Sequence, residues 1–220
     1  MIVTVLAGGV GGAKLAHGFA LCQSEIRLTV IVNTGDDFDH FGLRICPDLD
    51  TVCYTLAGLA NPQTGWGRKE DTFEVLRHVA ELGGPTWFQL GDKDLATHLE
   101  RTRRLKEGQP LSEVVRSFCE RWGIEAQVLP MSDDPVRTMV QTQEYGWIGF
   151  QDYFVRYGCQ PTVKDFAFEG CERASPAPGV IEALEASDLI VIAPSNPWVS
   201  IQPILSLRGV SSTIHSKKAI

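Results

Sequence analysis

Two short apolar stretches near the amino terminus predict neighbouring β-strands. Residues 3–7 and 28–33 consist mainly of apolar residues, many of them β-branched, as is typical of strands that are buried on both faces. Helical periodicity over residues 13–22 predicts a helix between them. This β-α-β order has the length of a crossover unit, so we expect a right-handed connection and a parallel sheet. A third stretch, residues 188–193, predicts another strand of the same kind.

The middle of the chain follows a different pattern. Its apolar spacing indicates three helices, over residues 71–82, 95–106 and 111–122. Short alternating runs within residues 125–170, among them 126–129 and 138–142, suggest a small antiparallel β element. This region therefore differs in character from the predicted parallel sheet on either side of it.

These patterns together predict an α/β protein in which a helical and β subdomain is inserted into a parallel-sheet core. We assign residues 1–60 to the amino-terminal part of the core and 61–180 to the inserted subdomain. Residues 181–220 return to the core, although the segment 211–220 is polar and shows no core pattern.

A glycine-rich loop separates the first predicted strand from the first predicted helix. It contains Gly8, Gly9, Gly11 and Gly12 and is followed by Lys14. Glycines let backbone N–H groups turn inward, and the amino terminus of the helix adds a positive dipole end, so the loop is suited to a phosphate or diphosphate. The spacing matches neither G-x-G-x-x-G, whose third glycine would fall at Lys14, nor the P-loop. The alternative is a tight turn without a ligand.

Composition narrows the class of protein. The 220 residues are 44% apolar and 21% charged, which is ordinary for a globular protein. A net charge of −7 argues against a non-specific nucleic-acid binder. No apolar run approaches the ~18 residues of a membrane span, and no secretory leader is recognisable, so we expect a cytoplasmic protein without membrane or nucleic-acid partners. None of the six cysteines forms a C-x-x-C pair, which favours buried thiols.

Aspartates cluster in three predicted loops. The clusters are Asp36, Asp37 and Asp39; Asp48 and Asp50; and Asp92 and Asp94 on either side of Lys93. Carboxylates without His or Cys partners suit a hard cation, and Mg²⁺ typically bridges carboxylates to substrate phosphates. Beside a phosphate loop, they predict a magnesium-dependent site for a diphosphate. The alternative is that these aspartates cap helices or form turns, and Asp50 could both cap a helix and offer an oxygen.

Cations and aromatic rings accompany these loops. Three cations in glycine-flanked, loop-like positions could pair with phosphates or carboxylates: Arg44, Arg68 and Lys93. Trp66 and Trp87 offer flat apolar surface for a ring-shaped substrate, whereas core packing is the better interpretation of Phe88. His98 is a possible acid–base group, but a single histidine on a helix is more often structural.

Six blocks in this order resemble one known family. They are LAGGVGGAK at 6–14, VNTGDD at 32–37, GLRICPDLDT at 42–51, GWGR at 65–68, LGDKDLATH at 90–98 and APSNP at 193–197. The chain resembles the 2-phospho-L-lactate transferase family of deazaflavin coenzyme F420 biosynthesis, from residue 2 to about residue 205.

The resemblance implies a Rossmann-like core, a homodimer, and a reaction. A phospholactyl or phosphoenolpyruvyl group would pass from a guanosine diphospho-ester to the deazaflavin precursor Fo, with magnesium and with release of GMP. Asp50 and Lys93 are then expected to contact Fo. The loop from Gly9 to Lys14, with Ser195 and Asn196, is expected to hold the guanosine diphosphate. The metal side is implied to consist of Asp36, Asp37 and Asp48.

The expected mechanism is a direct in-line attack by the primary ribityl hydroxyl of Fo on phosphorus, with Asp50 orienting or deprotonating that hydroxyl. Two other functions remain open. One is a regulatory protein that binds a nucleotide or phosphorylated metabolite without catalysis. The other is an NAD(P)-dependent oxidoreductase, which rests on the glycine loop and would use Asp36 at the ribose.

Overall fold

The computed structural model describes residues 1–22 and 25–217. The strands are β1 (Ile2–Ala7), β2 (Arg27–Val32), β3 (Phe38–His40), β4 (Leu43–Ile45), β5 (Gln127–Pro130), β6 (Arg137–Thr142), β7 (Gly146–Gly149), β8 (Val163–Glu169) and β9 (Leu189–Ile192). The helices are α1 (Gly9–Ala20), α2 (Pro47–Leu56), α3 (Glu74–Glu81), α4 (Asp92–Lys106), α5 (Leu111–Arg121), α6 (Val180–Ala186), α7 (Gln202–Ser206) and α8 (Val210–Ser216).

A parallel four-stranded sheet forms the centre of the molecule, in the order β5-β2-β1-β9. Val5 of β1 lies opposite Val30 of β2 on one side and Val191 of β9 on the other. The predicted strands at 3–7, 28–33 and 188–193 are confirmed, and with them the α/β class. A run of buried aliphatic residues forms such strands because helices cover both faces of the sheet.

The expectation for residues 125–170 is partly wrong. The run at 126–129 does not join an antiparallel element, because Gln127–Pro130 forms β5 and pairs in parallel with β2. Its short pattern could not distinguish the two arrangements, and burial of Val128 and Leu129 between sheet and helices decided the outcome. The run at 138–142 does form an antiparallel sheet, in the order β7-β6-β8. The domain division at residues 60 and 180 stays a prediction.

The predicted helices are present with shifted ends. The first begins at Gly9 rather than at residue 13, because the glycine loop itself supplies the first turn of α1.

In α2, Pro47 occupies the first turn, where its missing N–H costs nothing. Asp50 lies within that turn and donates its N–H to the Cys46 carbonyl, so it is not a cap. Arg44 lies in strand β4 rather than in a loop.

Alternate residues of each core strand face two different apolar layers. In β1, Val3 and Val5 face the layer formed with α1, α2 and α5, and Leu6 faces the layer formed with α6, α7 and α8. The second layer includes the fully buried Val210 of α8, and Ile214, within the segment 211–220 that showed no core pattern, packs against it partly buried. Residues 218–220 of that segment lie outside the described residues. Within the described ranges, no helix is long and apolar enough to span a membrane.

The thiols follow the expectation in part. Cys46, Cys53, Cys119 and Cys171 are buried and free, as predicted. Cys22 and Cys159 are exposed.

Candidate functional site

The glycine loop is held by two neighbouring segments at the carboxyl edge of the core sheet. The Gly8 N–H donates to Ser195 Oγ at 3.1 Å, and that hydroxyl donates to the Gly8 carbonyl at 2.7 Å. The Gly9 N–H donates to Asp48 Oδ1 at 2.6 Å, and Gly9 adopts a φ of +61°. The loop is therefore preorganised by a serine after β9 and an aspartate of α2.

Close packing explains part of the glycine pattern. A Cβ on Gly12 would lie 2.6 Å from Ser195 Oγ and 2.9 Å from the Ala7 Cβ, and one on Gly8 would lie 2.7 Å from the Ser200 Cβ. On Gly11 it would collide with the carbonyl oxygen of Pro194. These glycines let the segment after β9 approach the first turn of α1.

The same turn keeps donors for a ligand. Within the described part of the chain, the N–H groups of Val10 and Gly11 meet no acceptor from outside α1. They are orphan donors at the positive end of the helix dipole. Lys14 lies one turn further and is exposed. The geometry is thus compatible with the predicted anion site, at Val10 and Gly11 more than at Gly8 and Gly9.

Asn33 joins the glycine loop to the predicted metal side. Its amide donates to Asp48 Oδ2 at 3.0 Å, to Asp36 Oδ1 at 3.1 Å and to the Val199 carbonyl at 3.2 Å. Gln151 then donates to Asp36 Oδ2 at 3.2 Å. Asn33 and Gln151 were absent from the predicted site. The sequence signals for Asn33 were its position at the end of an apolar strand and its place in the VNTGDD block, whereas no sequence signal pointed to Gln151.

The three carboxyls on the predicted metal side are buried with too little positive charge around them. Burial raises the pKa of Asp37 to about 8, against donation by the Cys46 thiol and the nearby Arg101. Burial also raises the pKa of Asp48 to about 6. The pKa of Asp36 is raised well above its ordinary value by burial and then by the charges of Asp48 and Asp37.

In the part of the chain that the structure describes, Asp36, Asp37 and Asp48 do not bring one carboxylate oxygen each within 4.8 Å of the others, so the support for a divalent cation here comes from their uncompensated charge. Among the described residues, buried Asp37 Oδ1 has no hydrogen-bond partner. A cation would supply the charge that Asp36, Asp37 and Asp48 lack, and oxygen donors are the ligands that Mg²⁺ prefers. Their assignment to the metal stays a prediction. Asp39 has its own cationic partners, because it pairs with Arg44 at 3.0 Å on the β3-β4 hairpin and with Arg137 at 3.7 Å.

A second polar cluster surrounds Asp50. Arg101 donates to both carboxylate oxygens, to Oδ2 at 3.1 Å from Nη1 and to Oδ1 from Nη2. Nη1 also lies 3.2 Å from His98 Nδ1. A guanidinium carries only donors, so His98 Nδ1 accepts and its proton resides on Nε2, which faces Asp94 Oδ1 at 3.4 Å.

Arg101 disfavours a metal in the second cluster. Asp50, Asp94 and His98 bring ligand atoms within 4.8 Å of one another. However, Arg101 already neutralises Asp50, so the cluster has less need of a cation. The cluster is an arginine-centred network, and His98 has a structural part in it.

The residues around Lys93 are largely used in holding the start of α4. Asp71 accepts the backbone N–H of Lys93 at 2.8 Å and that of Asp94 at 3.1 Å. Asp92 accepts from the N–H groups of Glu74 and Val75 at the start of α3, so capping is the right interpretation for this aspartate. The exposed Lys93 side chain donates to the carbonyl of Glu70 at 2.6 Å.

Ser195 and Asn196 have structural partners as well. Asn196 Oδ1 accepts the N–H groups of Trp198 and Val199 at 3.0 and 3.3 Å, which caps a helical turn at Pro197–Ile201. Contact of these two residues with a nucleotide stays a prediction.

A cavity of about 340 Å³ opens beside Asp36 and Asp37. Its walls include three aromatic rings, Phe38, Trp87 and Phe150, and it reaches Arg137 and Thr138 of β6. Trp87 thus provides a flat surface as predicted, whereas Phe88 packs against Phe38 with ring centroids 4.8 Å apart. Asp50 and Lys93 are not among the lining residues. Arg137 had no sequence signal, because its neighbour in space, the Asp36 loop, is far away along the chain.

Comparison with known proteins supplies the context. The family model described as 2-phospho-L-lactate transferase CofD matches residues 3–220, and so includes the segment after residue 205 that the motifs did not reach. A phosphoenolpyruvate transferase of Streptomyces griseus is 47% identical over 218 residues, covering 97% of this chain and 69% of its own length. One of Thermobifida fusca is 43% identical over 232 residues, covering 100% and 72%.

Solved structures agree on the fold. A crystal structure described as a UPF0052 family member from Bacillus halodurans superimposes with a TM-score of 0.69 at 18% identity. The match covers 99% of this chain and 66% of that one, so the chain spans about two thirds of its neighbour's length. At this identity the likeness concerns the fold alone.

Proposed function

Because the chain belongs to the CofD family of 2-phospho-L-lactate transferases, we propose that it transfers a phospholactyl or phosphoenolpyruvyl group to Fo. The donor is a guanosine diphospho-ester, and GMP is the product that leaves. The observation that carries this proposal is the family match over residues 3–220, together with relatives named phosphoenolpyruvate transferases at 43–47% identity. The reaction would be a step of coenzyme F420 biosynthesis.

The glycine loop supports the donor side of the proposal. The N–H groups of Val10 and Gly11 point their hydrogens at the space before α1, where a diphosphate would accept them. Lys14 lies close enough along the helix to add positive charge. Ser195 contributes by fixing Gly8, and the guanosine is expected next to Asn196.

The acidic cluster supports a place for Mg²⁺. Asp36, Asp37 and Asp48 would hold it, and the Asn33 amide would fix the positions of Asp36 and Asp48 relative to each other. When bound, the ion would supply positive charge that stabilises the negative charge of the donor diphosphate and of the departing GMP. The backbone donors of α1 would stabilise the same negative charge.

The acceptor side combines the cavity with Asp50. Trp87 and Phe150 offer flat walls for a planar ring. Asp37 lines that cavity and also feels the charges of Arg101 and Asp50, so the two regions are adjacent. Arg101 already pairs with the Asp50 carboxylate. Asp50 is therefore better suited to orienting the attacking hydroxyl than to removing its proton.

The chemical step is then a single displacement. The primary hydroxyl oxygen of Fo attacks the phosphorus that bears the three-carbon acid, and the bond from that phosphorus to the GMP oxygen breaks. The hydroxyl proton passes to water, and GMP leaves with the bonding electron pair. Loose transition states of this type need positioning and charge neutralisation more than a strong base.

The decisive experiment combines binding with turnover. Equilibrium dialysis with Fo, GDP and NAD is followed by a mass assay of Fo consumption with synthetic donors, with and without Mg²⁺. Binding of Fo and GDP with Mg²⁺-dependent product formation is expected. GDP binding without Fo binding or turnover would support the regulatory alternative. NAD binding alone would support the oxidoreductase, which family membership already disfavours.

A further inference from the structure

An arginine is buried at the meeting point of three elements. Arg101 of α4 is 1% exposed. It donates to Asp50 of α2, and its Nη1 also lies 3.3 Å from the carbonyl oxygen of Arg44 in β4. Thr102 Oγ1 accepts the Arg44 N–H at 2.8 Å, so two successive residues of α4 hold the same residue of β4.

Stability alone gives little reason for this ion pair. Moving a guanidinium and a carboxylate out of water costs several kcal/mol per ion, and a well-packed apolar pair of similar size is often as stable. Surface pairs on the same helix, such as Arg103 with Glu100, avoid that cost. We therefore expect the buried pair of Arg101 and Asp50 to fix the orientation of these two side chains.

The fork between the two side chains has a defined geometry. Each carboxylate oxygen of Asp50 accepts one N–H of Arg101, so one lone pair on each oxygen is used and a second stays available. The Asp50 side chain keeps 11% of its surface exposed. A guanidinium is planar, so the fork fixes the plane of the carboxylate and the direction of the free lone pairs.

His98 extends this restraint along α4. Its Nδ1 accepts from Arg101, and its Nε2–H faces Asp94 in the first turn of α4. Asp94 in turn accepts the Tyr54 hydroxyl of α2 at 2.7 Å. The network thus connects α2 to the turn that carries Lys93, and so connects the two residues expected to contact the acceptor.

We propose that Arg101 is the positioning residue of the acceptor side: its fork holds Asp50 so that the free lone pairs accept the attacking hydroxyl of the acceptor. His98 and Asp94 hold that arrangement against the first turn of α4. This inference rests on the proposed function, because it takes Asp50 as the group that orients the acceptor.

The test compares Arg101→Lys with Arg103→Gln on the same helix. Lysine keeps the charge but cannot form the fork. Arg101→Lys is expected to bind GDP as the wild type does and to lose about 100-fold in kcat/KM for Fo. Arg103→Gln, which changes only an exposed pair, is expected to match the wild type in both. An Arg101→Lys variant within threefold of the wild-type kcat/KM for Fo would overturn the inference.

A double-mutant cycle separates positioning from folding. Arg101→Gln is measured alone and in the Asp50→Asn background, with thermal unfolding as the check on folding. If Arg101 acts through Asp50, its replacement adds no further loss of kcat/KM once Asp50 is neutral. A further loss of tenfold or more in that background would mean a purely structural role and would refute the proposal.

The experiments distinguish a failure of the proposed function from a failure of the inference about Arg101. A wild-type chain that neither binds nor consumes Fo overturns the proposed function, and this inference with it. A wild-type chain that consumes Fo while Arg101→Lys does so equally well overturns only the inference.

Discussion

At the scale of single residues, burial without compensating charge distinguishes one set of aspartates from another. Asp37 is buried, and one of its carboxylate oxygens has no hydrogen-bond partner among the described residues. Asp50 is also buried, but both of its carboxylate oxygens accept hydrogen bonds from Arg101. The first set therefore suits a cation, and the second suits a fixed hydrogen-bond acceptor. The resemblance implied the same division, with Asp50 on the acceptor side and Asp36, Asp37 and Asp48 on the metal side, and the two predictions below test it.

Asp37→Asn is expected to change how stability depends on pH. The folded pKa of about 8 exceeds the ordinary value of 3.8, so the folded chain binds this proton more tightly. The contribution of this proton to the free energy of unfolding is fully present below about pH 4 and is lost as the pH rises through 8. Without divalent cations, the variant should therefore gain at least about 2 °C in Tm over the wild type at pH 8.5, and less at pH 5.

Thermal unfolding in EDTA from pH 5 to 8.5 measures this difference. Asp165→Asn, at an exposed position of β8, serves as the control and should parallel the wild type. A difference between Asp37→Asn and wild type that stays constant with pH would contradict the shifted pKa.

Asp50→Asn is expected to lower turnover of Fo by at least about 100-fold. The amide removes the negative charge that would orient the attacking hydroxyl, while the glycine loop and its donors stay intact. Turnover is read by mass, and GDP binding by equilibrium dialysis. Loss of GDP binding would place Asp50 on the donor side instead and would contradict its assignment.

At the scale of elements, the strand-to-helix unit β1-α1 serves packing and ligand binding at once. The motif suggested a phosphate cradle, and the structure shows that Gly8, Gly11 and Gly12 also make room for the segments at Pro194, Ser195 and Ser200. Each strand could be predicted from its own apolar run. The resemblance implied that Ser195 lies near the glycine loop, but the hydrogen bonds between Gly8 and Ser195 join residues nearly two hundred positions apart and were visible only in the structure.

Two alanine substitutions in α1 separate these effects. Gly12→Ala should destabilise the chain by about 1–3 kcal/mol, because the new methyl meets Ser195 Oγ and the Ala7 Cβ. Gly18→Ala in the same helix has open space around it and should stabilise by about 0.5–1 kcal/mol. Urea unfolding measures both. Equal effects of the two substitutions would show that helix propensity, and not close packing, governs the loop.

At the scale of the whole molecule, the site lies where separate parts of the chain meet. The core sheet supplies the glycine loop, Asn33 and the loop with Asp36 and Asp37, and α2 supplies Asp48. The small antiparallel sheet supplies Arg137 and Thr138 to the cavity. Gln151 follows β7 and reaches Asp36. Ligands that bind the folded site should therefore stabilise these parts together. The homodimer stays a prediction, which analytical ultracentrifugation over a range of concentrations would check.

GDP and Mg²⁺ together are expected to raise the Tm by about 5–10 °C at a hundredfold excess over Kd, since that excess contributes about 2.7 kcal/mol. Removing Mg²⁺ with EDTA should abolish most of the shift, because the buried carboxylates would again lack a counter-charge. Differential scanning calorimetry gives both values. An undiminished shift in EDTA would contradict a metal bridge between Asp36, Asp37, Asp48 and the diphosphate.

The sequence by itself determined the α/β class, the core strands at 3–7, 28–33 and 188–193, and the family. Apolar periodicity is a local property, and motif blocks such as GLRICPDLDT are read without knowing their neighbours in space. Only the tertiary structure decided that β5 belongs to the core sheet and that Arg101 forms an ion pair with Asp50. Strand partners and buried charge pairs depend on desolvation and on contacts between distant segments. A local pattern carries no information about either.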